Sequence, residues 1–344
     1  MKFFCNGSSL RRGVVSLAVA VLAFGCLSLA AQQPPAGGGP GAAQAAARKQ
    51  LAEISTKVDS NVIYGMYSGL ALLMDVYYPA QPNGKGVIFV HGGHWRMSPA
   101  VGTAAPKTGG NIVQLVAFIK PFVDAGYTVF VPDYRMAPRF TYPAPVEDIQ
   151  RAVRFVRFNA KKYDIDPDHI GGVGFSAGAH LISMVALMDG KPTDRDQSPV
   201  GQVSASLQAV VSGATPANLG ENASVLENAG WTSGFIGDLV APGMAPNSEV
   251  YKKLMAASPI TYVAAGAPPF FLIHADKDAE VPMQIEVEFQ QALEKVGTPV
   301  KLVVVPNTEH EATFVGDNAK VFAPGMVAWM DQYLQAKTTT SSAR

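Results

Sequence analysis

Residues 170–180 read Ile170-Gly171-Gly172-Val173-Gly174-Phe175-Ser176-Ala177-Gly178-Ala179-His180. The first six are apolar or glycine without a polar break, as expected of a strand buried on both faces. The small residues from Ala177 onward open a helical period running to Met188. Ser176 therefore stands at a sharp strand-to-helix turn, inside Gly174-Phe175-Ser176-Ala177-Gly178. Such a turn strains the serine backbone, exposes its hydroxyl at the strand's end and needs glycine on either side for close approach. Ser176 is the candidate nucleophile.

Outward from this unit, short apolar runs alternate with helical periods. Leu70–Tyr78, Gly86–Val90, Tyr127–Pro132, Leu207–Ser212, Phe270–His274 and Val300–Val305 read as strands. Val113–Ala125 (with Pro121 bending or interrupting it), a helix starting at Pro145, Gln284–Lys295 and Pro324–Gln335 read as helices. This alternation predicts an α/β fold with a mostly parallel central sheet covered by helices on both faces. Arg48–Val58 reads as a short leading helix. Residues 214–257 break the rhythm with Gly, Asn and Pro around Trp231, Phe235, Met244 and Met255. A loop of that length in a compact domain is expected to cover or wall a pocket, as a lid insertion. The catalytic domain is expected over 51–337, followed by a flexible tail at 338–344.

A serine hydroxyl needs a base, an acid that orients the base, and donors for an oxyanion. On folds with a strand-serine-helix turn, the chain order is serine, acid, histidine. Of the six histidines, His91, His94 and His169 precede Ser176, and His180 lies one turn into the nucleophile helix. His274 ends a strand ahead of the plausible acids Asp276 and Asp278. His310, in the loop beyond Lys301–Val305, has the right order and the right place, and is the expected base. Either Asp276 or Asp278 can project from the loop after Phe270–His274. The oxyanion donors are expected from the backbone amide of Ala177 and from Gly93 or His94 in His91-Gly92-Gly93-His94-Trp95, where two glycines let amides turn inward. Trp95, Trp231 and Phe235 are candidates for the substrate pocket, although core packing accounts for each equally well.

Composition narrows the classes. The 344 residues are 48% hydrophobic and 16% charged, with 27 basic and 27 acidic residues. A large core is affordable, and no basic stripe speaks for nucleic acid. Lys2, Arg11 and Arg12 precede an apolar run from Val14 to Leu29, and Ser28-Leu29-Ala30 offers a cleavage site. Residues 1–30 thus read as an export signal. A retained anchor would need a longer run, about 20 residues, and a lipoprotein anchored at Cys26 is poorly served by Phe24. Residues 31–50, rich in Pro, Gly, Ala and Gln, read as a linker. Both cysteines, Cys5 and Cys26, fall within the signal, so cleavage near Ala30 leaves no thiol to form a disulfide.

His91-Gly92-Gly93-His94-Trp95, Asp133-Tyr134-Arg135-Met136-Ala137-Pro138, Tyr142-Pro143-Ala144-Pro145-Val146-Glu147-Asp148 and Gly174 to His180 together resemble the α/β-hydrolase superfamily. The branch they are most similar to holds the bifunctional feruloyl and acetyl-xylan esterases, near the hormone-sensitive-lipase group. Ser258-Pro259-Ile260-Thr261-Tyr262-Val263 belongs to the same likeness, which spans roughly Gly69 to Leu334. In that branch the acid of an Asp-x-x-Val-Pro pattern is catalytic, which implies Asp278 over Asp276. The resemblance implies the α/β-hydrolase fold and an exported, periplasmic or secreted serine esterase needing no metal or cofactor. Its substrates would be small or polysaccharide-linked esters, such as acetyl or feruloyl groups, with no nucleic-acid partner and no membrane span after cleavage. The chain departs from the hormone-sensitive-lipase pattern at His94, Phe175 and Ala179. His-Gly-Gly-x-Trp with Ser-Ala-Gly-Ala-His is also similar to arylformamidases, so an amide or formamide hydrolase, or a peptidase on the same fold, is the alternative.

Overall fold

The computed structural model describes residues 49, 52–55, 57–96, 112–192, 196–227, 230–314 and 316–335. The expected export signal, nearly all of the linker, both cysteines and the tail lie outside the described residues.

Eight strands form one sheet: β1 (Lys57–Tyr67), β2 (Leu70–Tyr78), β3 (Gly86–Val90), β4 (Thr128–Pro132), β5 (Ile170–Phe175), β6 (Val210–Gly213), β7 (Phe270–Ala275) and β8 (Val300–Val305). Their order is β1-β2-β4-β3-β5-β6-β7-β8. β2 pairs antiparallel with both β1 and β4; from β4 to β8 every pairing is parallel. The strands from β3 to β7 are buried along their whole length, which is why they read as continuous apolar runs.

β1 is the element that the sequence reading misses. Lys57 and Val58, assigned there to a leading helix, begin this strand, and helix is described only at 49 and 52–54. Register shifts between Asp59 and Val62, and again between Ile63 and Gly65, break the two-residue alternation that marks a half-buried strand. The hairpin to β2 turns on Ser68 and Gly69, both at positive φ (47° and 82°), as a two-residue turn matched to strand twist requires.

The helices are α1 (Ile112–Asp124), α2 (Ala144–Phe158), α3 (Ala177–Leu187), α4 (Ala223–Leu226), α5 (Trp231–Ile236), α6 (Glu249–Ala256), α7 (Met283–Lys295) and α8 (Ala319–Tyr333). Pro121 lies in the last turn of α1 without ending it. α8 starts five residues before Pro324, which sits inside the helix rather than at its head. Neighbouring glycines of β5 show how the faces are covered. A Cβ at Gly171 would meet Met330 of α8 at 2.6 Å, and one at Gly172 would meet Ile182 of α3 at 2.6 Å. Alternate residues point to opposite faces of a strand, so α8 and α3 press on the two sides. Phe271 and Phe270 repeat the division, the first against Trp329 of α8 and the second against Phe289 of α7. On the α8 side, Phe118 of α1 packs between Phe175 and Phe322. Parallel strands leave their C-terminal ends along one edge, and ligands of open α/β sheets bind there. The loops after β3, β5, β6, β7 and β8 converge on that edge.

Candidate active site

Ser176 joins β5 to α3 with φ 55° and ψ −123°. A non-glycine residue held there stores about 1–3 kcal/mol of strain. The turn is over-determined: the Ser176 amide donates to Gly213 O (2.8 Å) and its carbonyl accepts from the His180 amide (3.0 Å). The two flanking glycines are steric necessities. A Cβ at Gly174 would lie 2.4 Å from Gly178 O, and one at Gly178 would lie 2.0 Å from Val90 O. Helix α3 can start this close to β3 and β5 only because both positions lack a side chain.

The loops after β7 and β8 bring Asp278 and His310 together. His310 Nδ1–H donates to Asp278 Oδ2 at 2.6 Å. The other carboxylate oxygen accepts the amides of Glu280 (2.9 Å) and Val281 (2.8 Å). Burial pushes the Asp278 carboxyl up, but the His310 bond and charge, the Val281 amide and the His274 charge outweigh it and hold the group below the usual range. Burial likewise disfavours protonated His310. The Asp278 bond and charge, with Glu280 and Glu311, reverse this and raise its pKa above 6.5. The His310 ring leans on Phe175, the residue before Ser176, with centroids 4.9 Å apart. Asp276 is placed elsewhere, exposed and accepting the Thr308 amide at 3.0 Å, so it ties the two loops to each other.

The loop after β3 turns through three successive positive φ values, at Gly93 (115°), His94 (58°) and Trp95 (56°). It is braced from two sides. The Ala137 amide donates to Trp95 O (2.7 Å), and Arg135, two residues earlier, grips buried Asp148 of α2 (2.9 Å). Trp95 Nε1–H donates to His180 Nδ1 (3.1 Å), and His180 Nε2–H donates to Ala257 O (2.6 Å). These partners require neutral His180, and burial pushes its pKa down to about 4. His180 is thus a spacer between the Gly-Gly loop and the nucleophile helix. Ala177 heads α3, where the first amides have no intrahelical partner. Gly93–His94 and Ala177 are therefore a turned loop and a helix start beside one serine.

Ser176, Ala177, His94, Trp95, Pro216, Leu226, Trp231, Glu280 and Val281 line a narrow cleft with a free volume of about 20 Å³, far below that of a site enclosing a drug-sized ligand. Residues 214–257 contribute Pro216, Leu226 and Trp231 to its wall. Phe235 is not in the lining. It is fully buried behind Trp95, with stacked rings 4.6 Å apart. The sequence reading did not single out Glu280. Its Oε2 lies 2.9 Å from His94 Nε2 and 3.9 Å from His310 Nε2, and the His94 ring stacks on Trp231 at 3.3 Å. The bond to His94, more than any other contact, holds the Glu280 carboxyl low. The only sequence signal was its place between Asp278 and Val281-Pro282. Among the described residues no group of three or more His, Cys, Asp or Glu side chains is set to hold a metal ion. No described helix is long and apolar enough to cross a membrane.

A serine at a strained turn, a histidine–aspartate pair and a glycine loop on the C-terminal edge of this sheet place the fold among the α/β-hydrolases. The BD-FAE family profile matches residues 74–293, more than half of the chain, and the chain belongs to that family. It is 30% identical over 230 residues to Esterase LipQ of Mycobacterium tuberculosis, covering 65% of this chain and 49% of that protein. It is 28% identical over 293 residues to the probable carboxylic ester hydrolase LipM of the same organism, covering 82% and 62%. An acetylxylan esterase of Xylanibacter ruminicola is 30% identical over 115 residues, covering 33% and 22%. The chain thus spans less than two thirds of the length of these relatives. A carbohydrate esterase from gut microbiota has the same fold, with a TM-score of 0.62 and 23% identity, covering 81% of this chain and 98% of that one.

Proposed function

We propose that this protein is an exported serine carboxylesterase that hydrolyses esters of short acyl groups, acetyl above all, through an acyl-enzyme on Ser176. The observation that carries the reading is the 2.6 Å bond from His310 Nδ1–H to Asp278, at the same sheet edge as the strained Ser176 turn. With its Nδ1 proton pinned to Asp278, neutral His310 keeps a lone pair at Nε2. It takes the Ser176 proton as Oγ attacks the ester carbonyl. The tetrahedral oxyanion is met by the amides of Ala177 and of Gly93 or His94. His310 returns the proton to the leaving alcohol, and then activates water against the acyl-enzyme.

Two features favour a short acyl group. The cleft beside Ser176 is small, and Trp231, Leu226 and Trp95 close its apolar side. Similarity to an acetylxylan esterase points the same way, and with export it suggests acetylated polysaccharide. Export rests on Lys2, Arg11, Arg12 and the apolar run Val14–Leu29. N-terminal sequencing of the protein from cell envelope or medium should begin near Ala31; an intact Met1 in the cytoplasm would refute it.

The test of the activity is a panel of acetyl, butyryl, octanoyl, feruloyl and formyl-aryl substrates with an amide analogue, run on wild type and Ser176→Ala. The expected order is acetyl first, amide and formamide last, with Ser176→Ala reduced by several orders of magnitude while folded. Preference for the formamide or amide, or an active Ser176→Ala, would overturn the proposal.

A further inference from the structure

His274 closes β7 and takes no part in the steps above, yet both of its ring nitrogens are engaged. Nδ1 lies 3.0 Å from Glu286 Oε2 on α7, and Nε2 lies 2.8 Å from the Val281 carbonyl oxygen. Asp278 Oδ2 stands 3.7 Å from the same Nε2. His274 and Glu286 are both fully buried. The Glu286 carboxylate also accepts the Thr215 amide (2.6 Å) and hydroxyl (3.0 Å). A peptide carbonyl can only accept, so Nε2 must carry a proton. The contact between Nδ1 and Oε2 also needs one. That proton resides on the imidazole, the more basic group by about two pK units, and one that faces a second carboxylate in Asp278. Burial works against the charge, but the Glu286 bond and charge, with Asp278 and the Val281 carbonyl, raise the His274 pKa.

The geometry points to a permanent imidazolium at His274, locked by Glu286, that acts as a positioning residue for the Asp278–His310 pair. It does so in two ways. Asp278 Oδ1 is held by the amides of Glu280 and Val281, and His274 anchors that same turn from below through the Val281 carbonyl. Asp278 Oδ2 lies between two imidazoles, His310 at 2.6 Å and His274 at 3.7 Å, so His310 faces a carboxylate partly neutralised from behind. The other charges facing His310 are Glu280 and Glu311, both acidic. His274 is thus a cation that, beside the burial of His310, opposes the three carboxylates around it. This inference rests on the assignment of Asp278 and His310 as acid and base.

The first measurement is nitrogen NMR of the His274 ring in the folded wild type at pH 8, which does not depend on catalysis. Two ring protons are expected; a singly protonated ring overturns the imidazolium. The second is the pH dependence of kcat/KM in Glu286→Gln and His274→Gln. Glutamine at 286 removes the charge that locks the imidazolium, while its oxygen still accepts the Thr215 amide and the Nδ1–H, so the pH at which His274 loses its second proton should fall in that variant. Losing the cation leaves Asp278 and its neighbours more negative toward His310. His274→Gln removes the cation and leaves Glu286 charged, so the acidic limb should move to higher pH by about one unit; Glu286→Gln removes both charges once His274 is neutral and should move it the same way by less, and the double variant should match Glu286→Gln. A limb that stays put in His274→Gln, or that moves to lower pH in Glu286→Gln, overturns the positioning role. Should His274→Gln fail to fold, the NMR result and Glu286→Gln decide alone. An active Ser176→Ala would instead defeat the esterase reading and leave the proton count on His274 standing.

Discussion

Asp278→Asn, set beside Asp276→Asn, tests the site at its least symmetric point. In the wild type, Asp278 Oδ1 accepts two backbone amides, from Glu280 and Val281, and Oδ2 accepts Nδ1–H of His310. An asparagine must keep its carbonyl oxygen toward the two amides, because turning its NH₂ that way would set donors against donors. Its NH₂ then occupies the Oδ2 position and faces His310 Nδ1. The ring must present a lone pair at Nδ1, so its proton moves to Nε2, where it can no longer take the Ser176 proton. A wrong tautomer in an otherwise intact constellation of this kind costs about 10⁴ in kcat, or ~5 kcal/mol of transition-state stabilisation. Asp276 caps the Asn307 and Thr308 amides away from His310, and asparagine keeps an oxygen for such bonds. Its replacement should leave kcat within about threefold, as for exposed hydrogen bonds that a neutral oxygen can keep. The assay is steady-state hydrolysis of p-nitrophenyl acetate with thermal unfolding of each variant as the folding control. The reasoning is refuted if a folded Asp278→Asn keeps more than a tenth of wild-type kcat, or if Asp276→Asn is the more damaging change.

Trp231→Ala removes one wall of the cleft and the ring on which His94 stacks. The ratio of butyryl to acetyl kcat/KM should rise by about tenfold or more, in line with the worth of a methylene in an apolar pocket, and an unchanged ratio would mean that Trp231 does not limit the acyl group. Gly178→Ala puts a Cβ 2.0 Å from Val90 O, a backbone atom that cannot rotate away. Overpacking of this sort costs about 1–3 kcal/mol or more, so Tm should fall by at least about 2 °C and activity with it; a neutral substitution would show that α3 has room to retreat. The raised pKa of His310 sets the pH dependence. The base works only when neutral, so kcat/KM should fall as pH drops through a limb above 6.5, and a limb below that value would contradict a strong Asp278 partner.

Much of this arrangement was legible because it is local. The strand, turn and helix around Ser176 lie within one short stretch, and Gly174 and Gly178 on either side of it answer to backbone contacts that only glycine permits. Chain order alone isolated His310, since the other histidines came too early or stood ahead of the acid. β1 was illegible because its two register shifts erase the alternation that identifies a strand, and the start of α8 was misplaced because Pro324 reads as a helix start and lies within one. Glu280, His180 and the His274–Glu286 pair were invisible as functional groups for a different reason. Their roles exist only once separate loops and helices meet: His180 depends on Trp95, 85 residues away, and Glu280 on His94, 186 residues away. Phe235 shows the converse, since an aromatic in a covering segment has no sequence mark that separates the pocket wall from the layer behind it.

The central claim is that Ser176 carries the acyl group. It is tested most directly by quenching the enzyme during turnover of p-nitrophenyl acetate, or after reaction with a fluorophosphonate, and mapping the added mass by peptide mass spectrometry. One adduct per chain on the peptide holding Gly174 to Gly178, located at Ser176 and absent from Ser176→Ala, is the predicted result. An adduct on another residue, or full ester turnover by Ser176→Ala, would contradict it.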